Sequence, residues 1–427
     1  MTTLTNAAAR LDRDALIRRY RRNRARTALL FASIAESAYY DRPIPLRHPF
    51  VFYEGHLPAF SYNKLMREAL GKPSIDAGLE TLFERGIDPA GLADAKRHER
   101  DAWPARADVR RFADACDEAV LDALANADLT DASASPLLER GQAAFAILEH
   151  EEMHHETLTY IIHRLDPGRK TQRDGDASFR EAPPAATGRA KVAAGVATLG
   201  ARRDAAFAWD NELDEHQVDV PAFEVDVNNV TNGEWLAYVG EGGPMPSFWT
   251  PIDGSLHLRC AYGIIPLPLT WPVYVTHAQA EEYARRHGGG LMSEAQYHRA
   301  AFGTPAGGER LNPWGDEPPD ATRHGNFDFR RYDPESVGAS PGGASAWGIY
   351  DLVGNGFEWT STEFAPFAGF TPLPSYPQYS ADFFDGDHYV MKGASPVTAA
   401  SLVRRSFRNW YRPEYPYMYS TFRVAYD

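Results

Sequence analysis

LLERGQAAFAILEHEEMHHETLTYIIHRL, residues 137–165, reads as one long helix, because its apolar side chains recur at three- and four-residue steps. On such a helix His150 and His154 leave the same face about 6 Å apart, so two imidazoles can chelate one divalent ion. Surface histidines also occur at this spacing. This pair sits in the middle of an otherwise apolar-faced helix, with other histidines in the chain to complete a site. The string HEEMH also matches H-E-x-x-H, the zinc-hydrolase helix, in which Glu151 would be the general base. The longer form of that motif wants Gly and His where Thr157 and Tyr160 stand, so the extension fails. A third histidine would favour an open, histidine-only site. His56 is the candidate, in Phe52-Tyr-Glu-Gly-His56-Leu-Pro-Ala-Phe60, where a helix is expected to begin. Three neutral imidazoles suit Fe(II), Zn or Cu, so ligand chemistry alone does not choose. His155 and His163 read as outer or structural groups.

The chain before residue 165 is helical in pattern. Val109–Leu124 repeats the periodicity, and Leu16, Tyr20, Leu29, Leu30 and Ile34 carry it through an Arg-rich segment, so about four long helices suggest a bundle. The Arg18–Arg26 run reads as a solvated face. Asp166–Arg189 is polar, proline-bearing and without apolar period, and reads as a linker. Beyond it lie eight of the nine tryptophans. Short β-like runs (Phe223–Val227, Val273–Val275, Tyr389–Lys392, Thr421–Ala425) alternate there with turns, and helices are expected at Asn232–Tyr238 and His277–Arg286. The expectation is an α+β chain of two domains: a helical bundle over 1–165 carrying the metal ligands, a linker over 166–190, and a loop-rich α+β domain over 191–427.

Composition bounds the function. The chain has 427 residues, 44 basic and 58 acidic, for a formal charge of −14. That balance argues against nucleic-acid binding, which needs positive surface. No run of about 18 apolar residues spans a membrane. Two cysteines, Cys116 and Cys260, cannot form a disulfide framework, which fits a reducing cytoplasm.

LRHPFVFYEGHLPAF (46–60) together with HEEMHHETL (150–158) resembles the amino-terminal DinB-like helical domain of ergothioneine-type sulfoxide synthases. The second half is similar to the formylglycine-generating-enzyme-like (C-type-lectin-like) domain fused to it in that family. The matching strings are Phe207-Ala-Trp-Asp-Asn-Glu212, Val230-Thr-Asn232, Asn312-Pro-Trp-Gly-Asp316, Gly348-Ile-Tyr-Asp-Leu-Val-Gly-Asn355, Glu358-Trp-Thr360, Ser406-Phe-Arg-Asn-Trp410 and Thr421-Phe-Arg-Val-Ala425. The resemblance implies a mononuclear non-haem Fe(II) held by His56, His150 and His154, with O₂ as co-substrate. It implies hercynine, a trimethylated histidine, as the acceptor whose imidazole carbon is joined to a sulfur or selenium donor. Tyr376 and Tyr379 match catalytic-region positions of the family, where a phenol can give a proton, a hydrogen bond or an electron. Asn409 and Trp410 match its hercynine-binding pair. A trimethylammonium has no N–H to donate, so an aromatic face suits it.

The departures concern the donor. Family members that use γ-glutamylcysteine carry Asp and Arg where Tyr411 and Tyr415 stand here. Glutamines beside the iron histidines are replaced by Phe60 and Met153. An aromatic pair in place of a salt-bridging one favours a neutral donor with C–H faces, such as a sugar. One branch, the selenoneine synthases, fits: it couples hercynine to 1-seleno-β-D-glucose and reaches selenoneine through a selenoxide. Ergothioneine-type synthesis from cysteine or γ-glutamylcysteine, ovothiol-type synthesis, and zinc hydrolysis stand behind it. A formylglycine-generating oxidase needs a late cysteine pair, and Cys260 has no partner after the linker.

Overall fold

The computed structural model describes residues 11–84, 102–171, 181–184 and 186–427. Its contacts divide the chain into two compact units, 1–154 and 155–427. Part of the segment read as a linker, 172–180 and 185, lies outside the described residues.

Among its described residues the first unit is built from helices: α1 (Arg13–Ala32), α2 (Phe50–Ser61), α3 (Ala77–Phe83), α4 (Arg106–Asn126) and the start of α5 (Gln142–Arg164). Asp12 caps α1 by accepting the Ala15 N–H. α2 is buried along its whole length and contains Pro58, which has no N–H to give the Glu54 carbonyl. A π-helical segment, Tyr62–Ala69, follows directly. His56 is the seventh residue of α2, not at its start as expected: Pro49 is the N-cap, and Phe50–Tyr53 supply a buried first turn. Gly55 lets α3 approach, since a Cβ there would lie 2.5 Å from the Phe83 ring.

The Arg18–Arg26 run is only partly solvated. Arg18, Arg21 and Arg22 are exposed. Arg19 turns inward to Glu152 (Nε to Oε1, 2.9 Å) and Arg24 to Asp117 and Glu151 (both 2.9 Å). The reason is on α5: Glu151 and Glu152 are buried, and buried carboxylates need cationic partners.

The second unit takes in the end of α5, then β1 (Arg189–Val192), β2 (Gly195–Leu199), β3 (His216–Val220), β4 (Phe223–Asp226), α6 (Asn232–Gly240), β5 (Trp249–Ile252), β6 (Ser255–Arg259), β7 (Ile264–Pro266), α7 (His277–Arg286), α8 (Glu294–Phe302), β8 (Gly356–Glu363), β9 (Tyr389–Ala394), β10 (Asn409–Tyr411), β11 (Ser420–Thr421) and β12 (Ala425–Tyr426). They form small sheets in the orders β1-β4-β12, β10-β9-β8-β11, β2-β3 and β5-β6-β7. All pairings are antiparallel except β11 with β8. α6, α7 and α8 each begin with a capping box, from Thr231, Thr276 and Ser293. Val273–Val275 forms no strand of its own. It is held instead by Val273 N–H on Val230 O and Val275 N–H on Ser420 O.

Two buried ion clusters hold this unit. Arg423 binds Glu358 and the carbonyls of Val227 (3.0 Å) and Tyr350 (2.8 Å). Arg408 binds Glu294 at 3.1 Å, with Lys392 also beside that carboxylate. Both arginines are therefore structural ions, fully engaged by protein. Among the described residues no helix is long and apolar enough to cross a membrane.

Candidate metal centre and aromatic cluster

His56 from α2 and His150 and His154 from α5 converge, with candidate ligand nitrogens all within 4.8 Å of one another. Ring centroids lie 5.0, 4.9 and 4.5 Å apart for the pairs 56–150, 56–154 and 150–154. His56 is fully buried, and its Nδ1 lies 2.7 Å from the Phe83 carbonyl. Since that oxygen only accepts, the proton sits on Nδ1 and the lone pair on Nε2. His56 Nε2 is buried with no hydrogen-bond partner. An accepting nitrogen in that state, facing two more imidazoles, fits a metal ligand whose other nitrogen is fixed by a carbonyl. Burial pushes the His56 imidazolium down to about 4, against a smaller upward pull from the Phe83 carbonyl. His150 is lowered by burial and then by His154 and His56. His56 and His150 are thus held in the neutral form, the form in which an imidazole can coordinate.

Aromatic rings collar the cluster. Phe60 stacks on His150 (3.5 Å, 8°) and Phe52 on His56 (5.0 Å, 18°), while Tyr53 lies tilted 5.8 Å from His154. Phe60 is buried and pressed on the His150 ring, so it orients that imidazole as well as shielding it. Met153 is half-buried on α5. Glu151 Oε1 accepts from Arg24 Nη1 (2.9 Å) and Thr27 Oγ1 (2.6 Å). That ties the carboxylate a hydrolase would use as base to α1.

In the second unit, Glu156 Oε1 accepts from Ser395 Oγ (2.7 Å) and Oε2 from Thr398 Oγ1 (3.1 Å). Burial raises its carboxyl to about 7. His163 donates from Nε2 to the Arg259 carbonyl (2.9 Å), which leaves Nδ1 to accept the Tyr419 hydroxyl (2.8 Å). His155 meets Phe329 edge-on at 6.1 Å.

Tyr376, Tyr379 and Trp410 are brought together here. Tyr379 lies 5.8 Å from Tyr376, 5.4 Å edge-on from Trp410, and stacked at 4.1 Å on Trp209. Trp410, half-buried on β10, stacks on Phe364 (4.2 Å, 6°) with Phe383 at 5.7 Å. Asn409 accepts the Trp410 N–H at its own Oδ1 (2.9 Å). Tyr411 and Tyr415 stack at 4.9 Å, and the Tyr411 and Tyr160 hydroxyls are hydrogen-bonded at 2.9 Å. The sequence marks Tyr160 only as a departure from the zinc-hydrolase motif, and nothing in it marks Phe364 or Trp209 individually as site residues. Phe83 acts through a backbone carbonyl, which no residue type announces.

Cys116 and Cys260 are both buried and free. The Cys260 thiol is pushed up by burial and by Asp333, the reverse of a reactive thiolate.

The DinB superfamily profile matches residues 19–158, and that of the sulfatase-modifying factor enzyme 1-like domain matches 177–427. The fold is therefore the expected helical DinB-like domain followed by a formylglycine-generating-enzyme-like α+β domain. The chain is 33% identical to the hercynine oxygenase of Mycolicibacterium thermoresistibile, over 95% of this chain and 93% of that one. It is 32% identical to that of Mycobacterium tuberculosis, over 95% and 97%. Ergothioneine biosynthesis protein 1 of Schizosaccharomyces pombe is 28% identical over 90% of this chain and 52% of its own.

Proposed function

The chain belongs to the hercynine oxygenase family, and from that premise we propose that it joins the imidazole carbon of hercynine to a chalcogen donor at a non-haem Fe(II), consuming O₂. The chemistry is supported by three converging imidazoles, two of them buried and held neutral, His56 with its accepting nitrogen bare. His56, His150 and His154 would hold the iron, which when bound supplies the electron transfer and O₂ chemistry that the side chains lack. Phe60 and Phe52 hold two of these rings by stacking and keep water from them. Trp410, backed by Phe364, offers an aromatic face to the trimethylammonium. The Tyr376 and Tyr379 phenols are the groups proposed to exchange a proton or hydrogen bond with the substrate.

For the donor we favour 1-seleno-β-D-glucose, with selenoneine formed through a selenoxide. The observation that carries this is the Tyr411–Tyr415 stack, tied to Tyr160, at positions where family members using γ-glutamylcysteine place opposite charges. Two stacked phenols offer ring faces and hydroxyls to a sugar and no charge to an amino-acid zwitterion. Ergothioneine-type use of cysteine or γ-glutamylcysteine is the second reading, favoured by the similarity to hercynine oxygenases. Zinc hydrolysis is disfavoured by the engagement of Glu151 with Arg24 and Thr27.

The test is a competition. Anaerobic Fe(II)-loaded protein is given hercynine with selenoglucose, thioglucose, cysteine or γ-glutamylcysteine, O₂ is admitted, and products are identified by mass. Faster coupling of the sugars supports the assignment; faster coupling of γ-glutamylcysteine overturns it.

A further inference from the structure

The string Phe207-Ala-Trp-Asp-Asn-Glu212 lies outside the assigned site residues, yet four of its consecutive buried residues hold both segments on which the proposed chemistry rests. Trp209 stacks on Tyr379. Asp210 takes hydrogen bonds from both ends of the loop 373–380: the Leu373 N–H reaches Oδ2 at 3.2 Å, and Ser380 Oγ donates to Oδ1. The same Oδ1 accepts the Asn211 N–H at 2.8 Å. The Asn211 carbonyl accepts Arg408 Nη1 at 3.1 Å, and Glu212 accepts Arg404 Nε (2.8 Å) and Ser406 Oγ (2.6 Å). Those three donors immediately precede Asn409 and Trp410 in sequence. One short turn, Asp210–Glu212, thus grips the tyrosine loop with one carboxylate and the approach to β10 with the next.

The turn itself is firmly seated. Behind it Gly200 has φ +77°, and a Cβ there would lie 2.6 Å from the Asp214 carbonyl oxygen. Asp210 is 1% exposed, and burial raises its carboxyl above the usual range. A buried carboxylate is costly unless its oxygens are well used, and here three donors use them.

We propose that Asp210 is a positioning residue: by fastening both ends of the loop 373–380 it fixes Tyr379 against Trp410 and Tyr376 beside Tyr379, so that their phenols meet the substrate in one orientation. This rests on the reading of those tyrosines as the groups that act on substrate. Because the loop is held at two points, releasing either end frees the phenols without touching them.

The experiment compares Asp210→Asn, the milder Ser380→Ala, and Tyr379→Phe in the full-length Fe(II)-loaded protein. An amide at 210 cannot accept from both loop ends, since one of its two polar atoms only donates. Both clamp variants should lower kcat about ten- to a hundredfold, the scale of an ångström misplacement. The KM for hercynine should stay within about twofold, as for an interaction realised only in the transition state. Both should also lower the fraction of consumed O₂ recovered as coupled product, and speed amide exchange in 373–380 without speeding it in β8 and β9. Wild-type exchange and wild-type kcat in both variants would overturn the inference. Equal acceleration of exchange throughout the domain would overturn it too, since Asp210 would then be a general fold residue. Tyr379→Phe reads the premise separately. If it leaves turnover and coupling unchanged, the assignment of that tyrosine falls, and the clamp stands or falls by loop exchange alone.

Discussion

Gly55→Ala tests how the third histidine is held. In an ordinary buried helix this change would gain roughly 0.8–1 kcal/mol, the helix-propensity difference between the two residues. Here the added methyl would stand 2.5–2.6 Å from three atoms of the Phe83 ring. Ordinary carbon contacts are about 3.5–4.0 Å, so the ring must retreat by about 1 Å. Phe83 is fully buried and packs on Phe112 and Phe52, so it has little room to do so. Overpacking of this kind costs about 1–3 kcal/mol, which exceeds the propensity gain, and a net loss of about 1 kcal/mol is expected. The same displacement carries the Phe83 carbonyl away from His56 Nδ1, so metal affinity should fall about tenfold or more, the usual cost of losing such an outer partner. The assays are urea unfolding of the metal-free protein and anaerobic titration with Fe(II) or Co(II). Gly55→Ala/Phe83→Leu should recover part of both losses, because the smaller side chain makes room while the carbonyl remains. A variant at least as stable as wild type, with unchanged metal affinity, would mean that the Phe83 contact does not hold His56 in place.

Other expectations follow from the same contacts. His150→Ala should abolish both stoichiometric metal binding and turnover, read by metal analysis and O₂ uptake. Glu151→Ala should cost about 3 kcal/mol in unfolding experiments, the lower end for a broken buried pair, since Arg24 keeps Asp117. Glu151→Gln, in contrast, should retain coupled product, which a hydrolase base would not. Asp351 is buried with its carboxyl raised to about 6 from 3.8. Its folded form therefore holds the proton more tightly, so this group's contribution to stability is greatest below about pH 4 and is lost as pH rises to about 6. The decline attributable to this group is on the order of 3 kcal/mol. Asp351→Asn keeps an acceptor for the Gly338 N–H and tolerates the positive φ, so its urea midpoint should exceed wild type above pH 6 and converge with it near pH 4. Parallel curves would refute this.

Where periodicity was clean, the fold was legible. α7 spans His277–Arg286 as the pattern predicts, and α6 runs two residues beyond the expected Tyr238. α8 and β8 were not expected. Glu294–Phe302 mixes buried His298 and Arg299 into its apolar face, and in β8 five successive residues are buried, so neither shows a simple period. Val273–Val275 has strand composition but no adjacent ladder, and its partners come from two separate segments. The half-buried arginines of α1 were misread for a related reason: a charge run looks solvated until the carboxylates opposite it are known.

The features legible from residue order alone are local. The i,i+4 spacing of His150 and His154 and the bundle-then-β texture need only chain periodicity and residue chemistry, while Tyr411 and Tyr415 stand out only beside the family that the chain resembles. What the tertiary structure decided is which distant groups meet. His56 joins histidines 94 and 98 positions away, its tautomer is set by a carbonyl on another helix, and Asp210 fastens a loop more than 160 residues on. Such pairings depend on packing geometry, such as the absence of a Cβ at Gly55, and a backbone oxygen or a missing atom leaves no chemical signature in a string of residues.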